Sequence, residues 1–400
     1  MTVRPTRRYS PRSHSRSTSD EPRAFATNAL DGGVVAAISI LAGIGLVMVY
    51  SLTAPRSSAS VIPPQFTRHL VALATGGIAL IVALRVPLAV WRRLALPIWG
   101  TCVALLIATW FGGVEVNGAR RWLEFPGGRL QPAEFAKFAT LLAVAVQLTS
   151  SPSRGARLKP VAAACLLCLP PVALLLSQPD FGSSLVLCAS VGVMLFAAGI
   201  SLRMLVLPGI LAIGGASFYI ALRPYAHLRW TGFLDPWATA SREGFQLVQS
   251  FVAFGRGGAF GVGLGDGRQK LYFLPEAHTD FILAGVAEEM GLVGVLIVLG
   301  AFAAYVWAGT RIAGRAKDPF AALVALGMTT VIGLPAAINA AVVMGLLPTT
   351  GFTLPFVSFG GNSLFICLLA AGILLRIGAC EAPPQATRIS GASRRRVVRT

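Results

Sequence analysis

The chain has 400 residues, of which 55% are hydrophobic and only 12% charged, with a formal net charge of +18. Repeated apolar runs near the length of a bilayer crossing exclude a string of soluble domains and predict an all-α, polytopic integral membrane protein. The basic residues sit in the tails and in short loops between those runs, the pattern that orients membrane proteins, so nucleic acid is excluded as a partner.

Residues 1–33 are rich in Ser, Arg and Pro and lack apolar periodicity, which predicts a disordered cytoplasmic tail. The first apolar run starts near Val34 behind that tail and reads as a retained span rather than a cleaved signal peptide. Ten spans follow from hydropathy: 34–52, 69–85, 94–111, 133–148, 161–177, 184–200, 204–222, 281–309, 320–346 and 359–376. They form one membrane domain, 34–378, followed by a basic tail, 379–400, with Arg394, Arg395 and Arg396 close to anionic lipid. With the N-terminus inside, the cytoplasmic segments hold 22 Lys and Arg and the outer segments 11. Both termini are therefore expected in the cytoplasm, and the long loop 223–280 outside the cytoplasmic membrane.

Cys102, Cys165, Cys168, Cys188 and Cys367 lie inside apolar runs and Cys380 just past the last one. Cys165 and Cys168 have the spacing of a redox or zinc motif, but their flanks are wholly apolar and no second ligand pair follows. They read as small buried hydrophobes.

The outer loops carry most of the polar chemistry. Residues 112–132 bring Asn117, Arg120, Arg121 and Trp122 close together in sequence. Glu134 and Lys137 follow at the top of span four. Their i, i+3 spacing puts acid and base on one helix face, where pairing lowers the cost of a lysine in the membrane. In the turn Gln178-Pro179-Asp180-Phe181-Gly182, Asp180 either caps span six or serves as a ligand.

In the long loop, Phe245, Val248, Phe251 and Val252 share a helical face within 238–254, which suits a helix lying in the membrane interface. Residues 255–267, GRGGAFGVGLGDG, space their glycines like a dinucleotide fingerprint. No strand precedes them, so that reading is rejected. A phosphate cradle of backbone amides and a plain connector both stay open.

Next comes Gln269 to Gly291, QKLYFLPEAHTDFILAGVAEEMG, on which the rest of the chain turns. Lys270, Glu276, His278 and Asp280 crowd its polar half, and Glu288 and Glu289 lie inside its apolar helix. Ionisable groups at the mouth of a span are costly and mark a functional site, or else they anchor a helix end. Helical geometry puts Glu288 about 80° round from Asp280 and roughly 12 Å deeper, with Glu289 on the opposite face. Glu288 is therefore the expected cavity-facing acid, with Lys137 as its partner. Pro335 and Asn339 predict a kink with a polar lining in span nine. The loop 347–363, LPTTGFTLPFVSFGGNS, which contains Ser358, has the Pro/Gly breaks of a re-entrant segment.

Taken in order, NGARRW with QPAEFAK, QPDFG, GFQLVQS with the Gly-rich turn, QKLYFLPEAHTDFI with EEMG, and LPTTGFTLPFVSFGGNS resemble the SEDS proteins (shape, elongation, division, sporulation). These are bacterial polytopic peptidoglycan glycosyltransferases. The resemblance covers 34–378 and is nearer to the division branch, FtsW, than to the elongation branch, RodA, or to SpoVE. Two departures stand out: Thr350-Gly351 where the division branch usually has Lys-Gly, and Ser358-Phe359-Gly360-Gly361-Asn362 where it has Ser-Tyr-Gly-Gly-Ser.

The resemblance implies polymerisation of lipid II into glycan strands on the outer face, with release of undecaprenyl diphosphate, at the division septum. It implies a class B penicillin-binding transpeptidase, other division proteins and membrane lipid as partners. It also implies Asp280 as the catalytic acid residue, while Trp122, Arg121, Glu134 and Lys137 match further positions the family uses. One inversion at the anomeric carbon needs one base and no acid, because a diphosphate leaves as an anion. The diphosphate needs positive charge, from Arg120, Arg121, Lys137, Lys270 or a divalent cation (Mg or Mn). His278 either orients Asp280, ligates that cation or is a surface hydrogen-bonding residue. No organic cofactor is expected. A flippase for the lipid-linked precursor, a non-catalytic division scaffold and an elongation-type role are the alternatives.

Overall fold

The structure is a computed structural model and describes residues 30–56, 62–116, 119–126, 128–150, 158–222, 224–271 and 277–381. Most of both tails, with Arg394 to Arg396, and the candidates Asn117 and Glu276 lie outside the described residues.

All ten expected spans appear as helices: α1 (Gly32–Thr53), α2 (Pro64–Arg85), α3 (Leu88–Gly112), α4 (Pro132–Ser150), α5 (Leu158–Ser177), α6 (Phe181–Ala197), α7 (Leu202–Leu222), α10 (Ile282–Arg315), α11 (Pro319–Val343) and α12 (Gly361–Glu381). Among the described residues seven are long and apolar enough to cross a membrane: α1, α2, α3, α5, α10, α11 and α12. α6 and the first part of α7 are shorter apolar helices, and α4 carries Glu134 and Lys137 in its first two turns.

Helix starts follow from local sequence. Asp31 caps α1 and Asp318 caps α11 by accepting main-chain N–H bonds, and Pro64 and Pro319 occupy first turns, where the missing N–H costs nothing. Asp180 is a cap too: its carboxylate accepts from the Ser183 amide at 3.1 Å and the Ser183 hydroxyl at 2.8 Å.

α11 and α12 lie in the centre. In each, 67% of the most apolar stretch is buried, against 22% in α3 at the periphery. Close approach comes from small residues, as expected where lipid supplies no hydrophobic drive between helices. Gly76 of α2 faces Leu368 of α12, Gly285 of α10 faces Leu52 of α1, and Gly327 of α11 faces Met194 and Leu141.

Three features depart from the sequence reading. An antiparallel sheet forms from β1 (Val114–Val116), β2 (Ala119–Phe125) and β3 (Gly128–Leu130), too short and charged to show a strand pattern. A helix, α8 (Pro224–Leu234), opens the long loop. The expected interfacial helix is α9 (Phe245–Gly257), and it packs into the protein instead: Leu247, Val248, Ser250, Ala253 and Gly257 are buried, and the Ser250 hydroxyl donates to the Val343 carbonyl at 2.7 Å. Gly257 is what admits it, because a Cβ there would run into the Ala287 carbonyl of α10.

α10 is broken at Gly291, whose φ of 68° and ψ of −165° leave the helical region. The amides of Leu292 and Val293 lose their usual acceptors and donate to the Gly258 and Ala259 carbonyls at 2.9 and 3.1 Å. The carbonyls of Glu288 and Glu289 accept in return from Val262 and Gly263, at 2.9 and 3.2 Å. The glycine-rich loop is thus spliced into the hydrogen-bond ladder of α10, and these four groups have new partners.

Candidate active site at the head of α10

Asp280 lies two residues before α10, next to its N-cap Phe281, and is half-buried. Three consecutive carbonyls at this point each receive a bond from the re-entrant loop or from α11. Phe359 N donates to His278 O at 2.9 Å, the Ser358 hydroxyl to Thr279 O at 2.6 Å, and the Asn339 amide to Asp280 O at 2.7 Å. Asn339 also donates to Phe352 O at 2.6 Å, and Ser358 Oγ accepts from Leu354 N at 2.8 Å. The loop that provides these contacts is buried at Phe352, Leu354, Phe356, Val357 and Ser358, as a re-entrant segment must be.

The main chain under Asp280 is therefore fixed, and its carboxylate faces Gly351: a Cβ there would lie 3.5 Å from Asp280 Oδ2 and 4.0 Å from Arg229 Nη1. Arg229 of α8 donates to the Thr349 carbonyl at 2.8 Å. Sequence reasoning missed Arg229 as a site residue, because 120 residues separate it from the loop it meets. The His278 ring packs on Phe359, with centroids 5.6 Å apart.

Glu134 and Lys137 pair at 2.8 Å with side chains 15% and 4% exposed, as their spacing predicts. They line a cavity of about 20 Å³ with Pro335, Phe352, Thr353 and Ser363, enough for about one water. Pro335 contributes in a second way: lacking an N–H, it leaves the Val331 carbonyl on the cavity wall without its helical donor.

Arg121 and Arg120 are engaged by other groups. Arg121 clamps the 178–180 turn, donating to the Gln178 carbonyl at 3.1 Å and to the Pro179 carbonyl. Arg120 is exposed, 3.5 Å from Glu115, on the rim of an open cleft of about 500 Å³ with Trp110, Phe111 and Gln178. Trp122 sits half-buried in β2.

The expected pairing of Lys137 with Glu288 does not form. Glu288 accepts from the Arg268 and Gln269 amides at 2.9 and 3.1 Å and pairs with Arg256 at 3.4 Å. Glu289 is wrapped by the same loop. It accepts from Ser51 Oγ at 2.7 Å, from Gly265 N at 3.0 Å and from Lys270 Nζ at 2.9 Å. Lys270 is consequently enclosed rather than offered to a substrate. The amides of Gly261, Val262, Gly263, Gly265 and Asp266 in the Gly-rich turn are likewise taken by the chain's own oxygens, which counts against the phosphate-cradle reading.

Among the described residues no three His, Cys, Asp or Glu side chains converge as a metal cage. The chemistry on offer is one rigidly held carboxylate at a helix head, beside an arginine and above a buried ion pair.

A family model described as "Cell cycle protein", covering FtsW, RodA and SpoVE, matches residues 33–382. The chain belongs to the FtsW/RodA/SpoVE family. Within that family, a relative named probable peptidoglycan glycosyltransferase FtsW, from Geobacter metallireducens, is 40% identical and aligned over 83% of this chain and 90% of its own. The protein of that name from Alkalilimnicola ehrlichii is 41% identical over 91% and 94%. A solved structure described as "Structural coordination of polymerization and crosslinking by a peptidoglycan synthase complex" superposes with a TM-score of 0.74 at 29% identity, covering 88% of this chain and 98% of that one. RodA of Thermus thermophilus gives 0.66 at 28%, over 89% and 98%. FtsW/RodA/SpoVE membership brings with it the enzyme class, a peptidoglycan glycosyltransferase, and a role in cell division.

Proposed function

We propose that this chain polymerises lipid II into glycan strands on the outer face of the cytoplasmic membrane, at the septum, with a class B penicillin-binding transpeptidase as its partner. The observation that carries the reading is the three-carbonyl grip on residues 278–280, which holds one carboxylate at the mouth of the bundle. Such preorganisation is what a general base requires. Asp280 takes the proton of the acceptor hydroxyl as its oxygen forms a bond to the anomeric carbon. The bond from that carbon to the phosphate oxygen breaks, and its electron pair leaves with the diphosphate. The proton on Asp280 then passes to water.

The deeper acids count against transport. A flippase favours acids exposed along a path near the midplane, whereas Glu288 and Glu289 are 1% and 2% exposed and sealed by the chain's own donors. No step above passes through a metal: a divalent cation in this proposal would draw its ligands mainly from the diphosphate and water.

The test is glycan-strand formation from labelled lipid II by purified protein with its transpeptidase partner. Asp280→Asn keeps the shape and removes the base, so polymerisation falls roughly 10²–10⁴-fold. Near-normal strands from this variant would remove Asp280 as the base, and no strands from the wild type would remove the reading altogether.

A further inference from the structure

We propose that the open cleft between the end of α3, the β1–β2 sheet and the 178–180 turn holds a phospholipid whose headgroup carries both a phosphate and a primary ammonium. The assignment stands apart from the glycosyl-transfer reading and does not depend on it.

The cleft holds about 500 Å³, the volume of a small-molecule site. Its walls are tied to one another. Arg121 of β2 donates to the Gln178 and Pro179 carbonyls, and the Gln178 side chain donates to the Leu106 carbonyl of α3 at 2.9 Å. Glu115 and Arg120 are register partners across β1 and β2, so both side chains rise from one face of the sheet into the cleft. Their ion pair is loose, 3.5 Å long with side chains 57% and 56% exposed, so little holds either charge back from a ligand.

One guanidinium beside one carboxylate selects a zwitterion. The arginine fork matches a phosphate, and the carboxylate accepts from an ammonium. A diphosphate would crowd its negative charge against Glu115, and a quaternary ammonium has no N–H to donate to it. The surroundings then favour a lipid over a soluble zwitterion. Trp110 and Phe111, exposed on the last turn of α3, stand at the depth where aromatic residues meet headgroups. Below the cleft α3 and α5 adjoin, tied by Trp99 Nε1 to the Leu167 carbonyl at 3.2 Å. Exposed apolar side chains descend from it at helical spacing, Ile107 beneath Phe111 on α3 and Leu169 and Leu166 beneath Ser177 on α5, a track for acyl chains. The turn that walls the cleft runs on to Gly182, where a Cβ would strike the Phe352 ring, so the headgroup lies at the Asp280 end of the bundle.

The experiment titrates the full chain, delipidated in detergent, with phosphatidylethanolamine, phosphatidylcholine and phosphatidylglycerol, and counts bound lipid by native mass spectrometry. Wild type should bind one phosphatidylethanolamine about tenfold tighter than either of the others, as one charge-assisted bond requires. Arg120→Gln should weaken that one equivalent about tenfold. Glu115→Gln should let phosphatidylglycerol match it, because the carboxylate that tells ammonium from hydroxyl is gone. Ser177→Trp, which fills the cleft and keeps both charges, should lose the same equivalent. The site is overturned if wild type binds the three lipids within about twofold of one another, since binding is then merely apolar. It is overturned equally if the preference survives in Arg120→Gln and Glu115→Gln, or, should either fail to fold, in Ser177→Trp. Displacement of the bound phospholipid by equimolar lipid II would give the cleft to the substrate instead. Displacement by soluble phosphoethanolamine at the same concentration would show that the acyl track plays no part. None of these outcomes needs glycan synthesis, so a failure here leaves the transfer reading untouched.

Discussion

Asn339 donates its side-chain amide to the main-chain carbonyl of Asp280 across 2.7 Å, so α11 sets the height of the carboxylate just ahead of α10. The same amide reaches Phe352 O at 2.6 Å, which ties the re-entrant loop to that point. Asn339→Leu fills the space and donates nothing, leaving two carbonyls without a donor, at a cost of about 1–3 kcal/mol each if they stay dry. We expect a lower thermal unfolding midpoint and a fall in kcat larger than the change in KM, because the base moves while the substrate contacts remain. An unchanged kcat would show that Asn339 does not position Asp280.

A second prediction concerns the buried lysine. Lys137 pairs with Glu134 and not with Glu288, so a double-mutant cycle should separate the two. Lys137→Met should lose about 3–5 kcal/mol, because Glu134 is left beneath the loop without its counter-charge. Adding Glu134→Gln should recover part of that loss, whereas adding Glu288→Gln should be additive within about 0.5 kcal/mol. Unfolding free energies in one detergent decide it. Coupling to Glu288 in place of Glu134 would contradict the geometry.

The sequence made the helices legible because each apolar run is a local signal. It also exposed the i, i+3 pair of Glu134 and Lys137, and it offered the cap at Asp180 as one of two readings, for the same reason. What it concealed is long-range. The 12 Å depth worked out for Glu288 assumes a continuous, isolated helix, and nothing local announces that 258–270 wraps that turn and satisfies both acids. The clue was there in GRGGAFGVGLGDG: glycines packed that densely admit a backbone against another backbone, here α10 rather than a ligand. Arg229 was hidden likewise, by a contact to Thr349 that only folding creates.

The wrapped acids yield a third prediction. Lys270 Nζ contacts Glu289 at 2.9 Å, Ser51 Oγ at 3.1 Å and Gly265 O at 2.5 Å, joining α1, the Gly-rich loop and α10. Lys270→Met leaves Glu289 buried without its counter-charge and should destabilise the fold by about 3–5 kcal/mol. Lys270→Met with Glu289→Gln should be more stable than Lys270→Met alone, since an amide needs no counter-charge. Limited proteolysis after Arg268 reports whether the loop has come off α10. If the single variant resists cleavage as well as wild type does, the junction does not hold the loop.

The last prediction is topological and decides where Asp280 works. From the imbalance of 22 basic residues against 11 we expect both termini in the cytoplasm and the Gly-rich loop outside. Gly267 is the natural midpoint at which to place a reporter cysteine, but it is buried, and a Cβ there would meet Glu288 Oε2 at 2.9 Å. Leu264, on the same loop, is 59% exposed and takes a cysteine without disturbing either acid. In a chain whose six native cysteines are replaced, Leu264→Cys should react with a membrane-impermeant maleimide in intact spheroplasts. Reaction only after lysis would invert the protein. It would also put the head of α10 on the cytoplasmic side, because the loop at 258–263 is hydrogen-bonded to α10 only two to three turns past Asp280. A carboxylate there has no glycan acceptor to deprotonate, so the same labelling result tests the polymerisation mechanism as well as the topology.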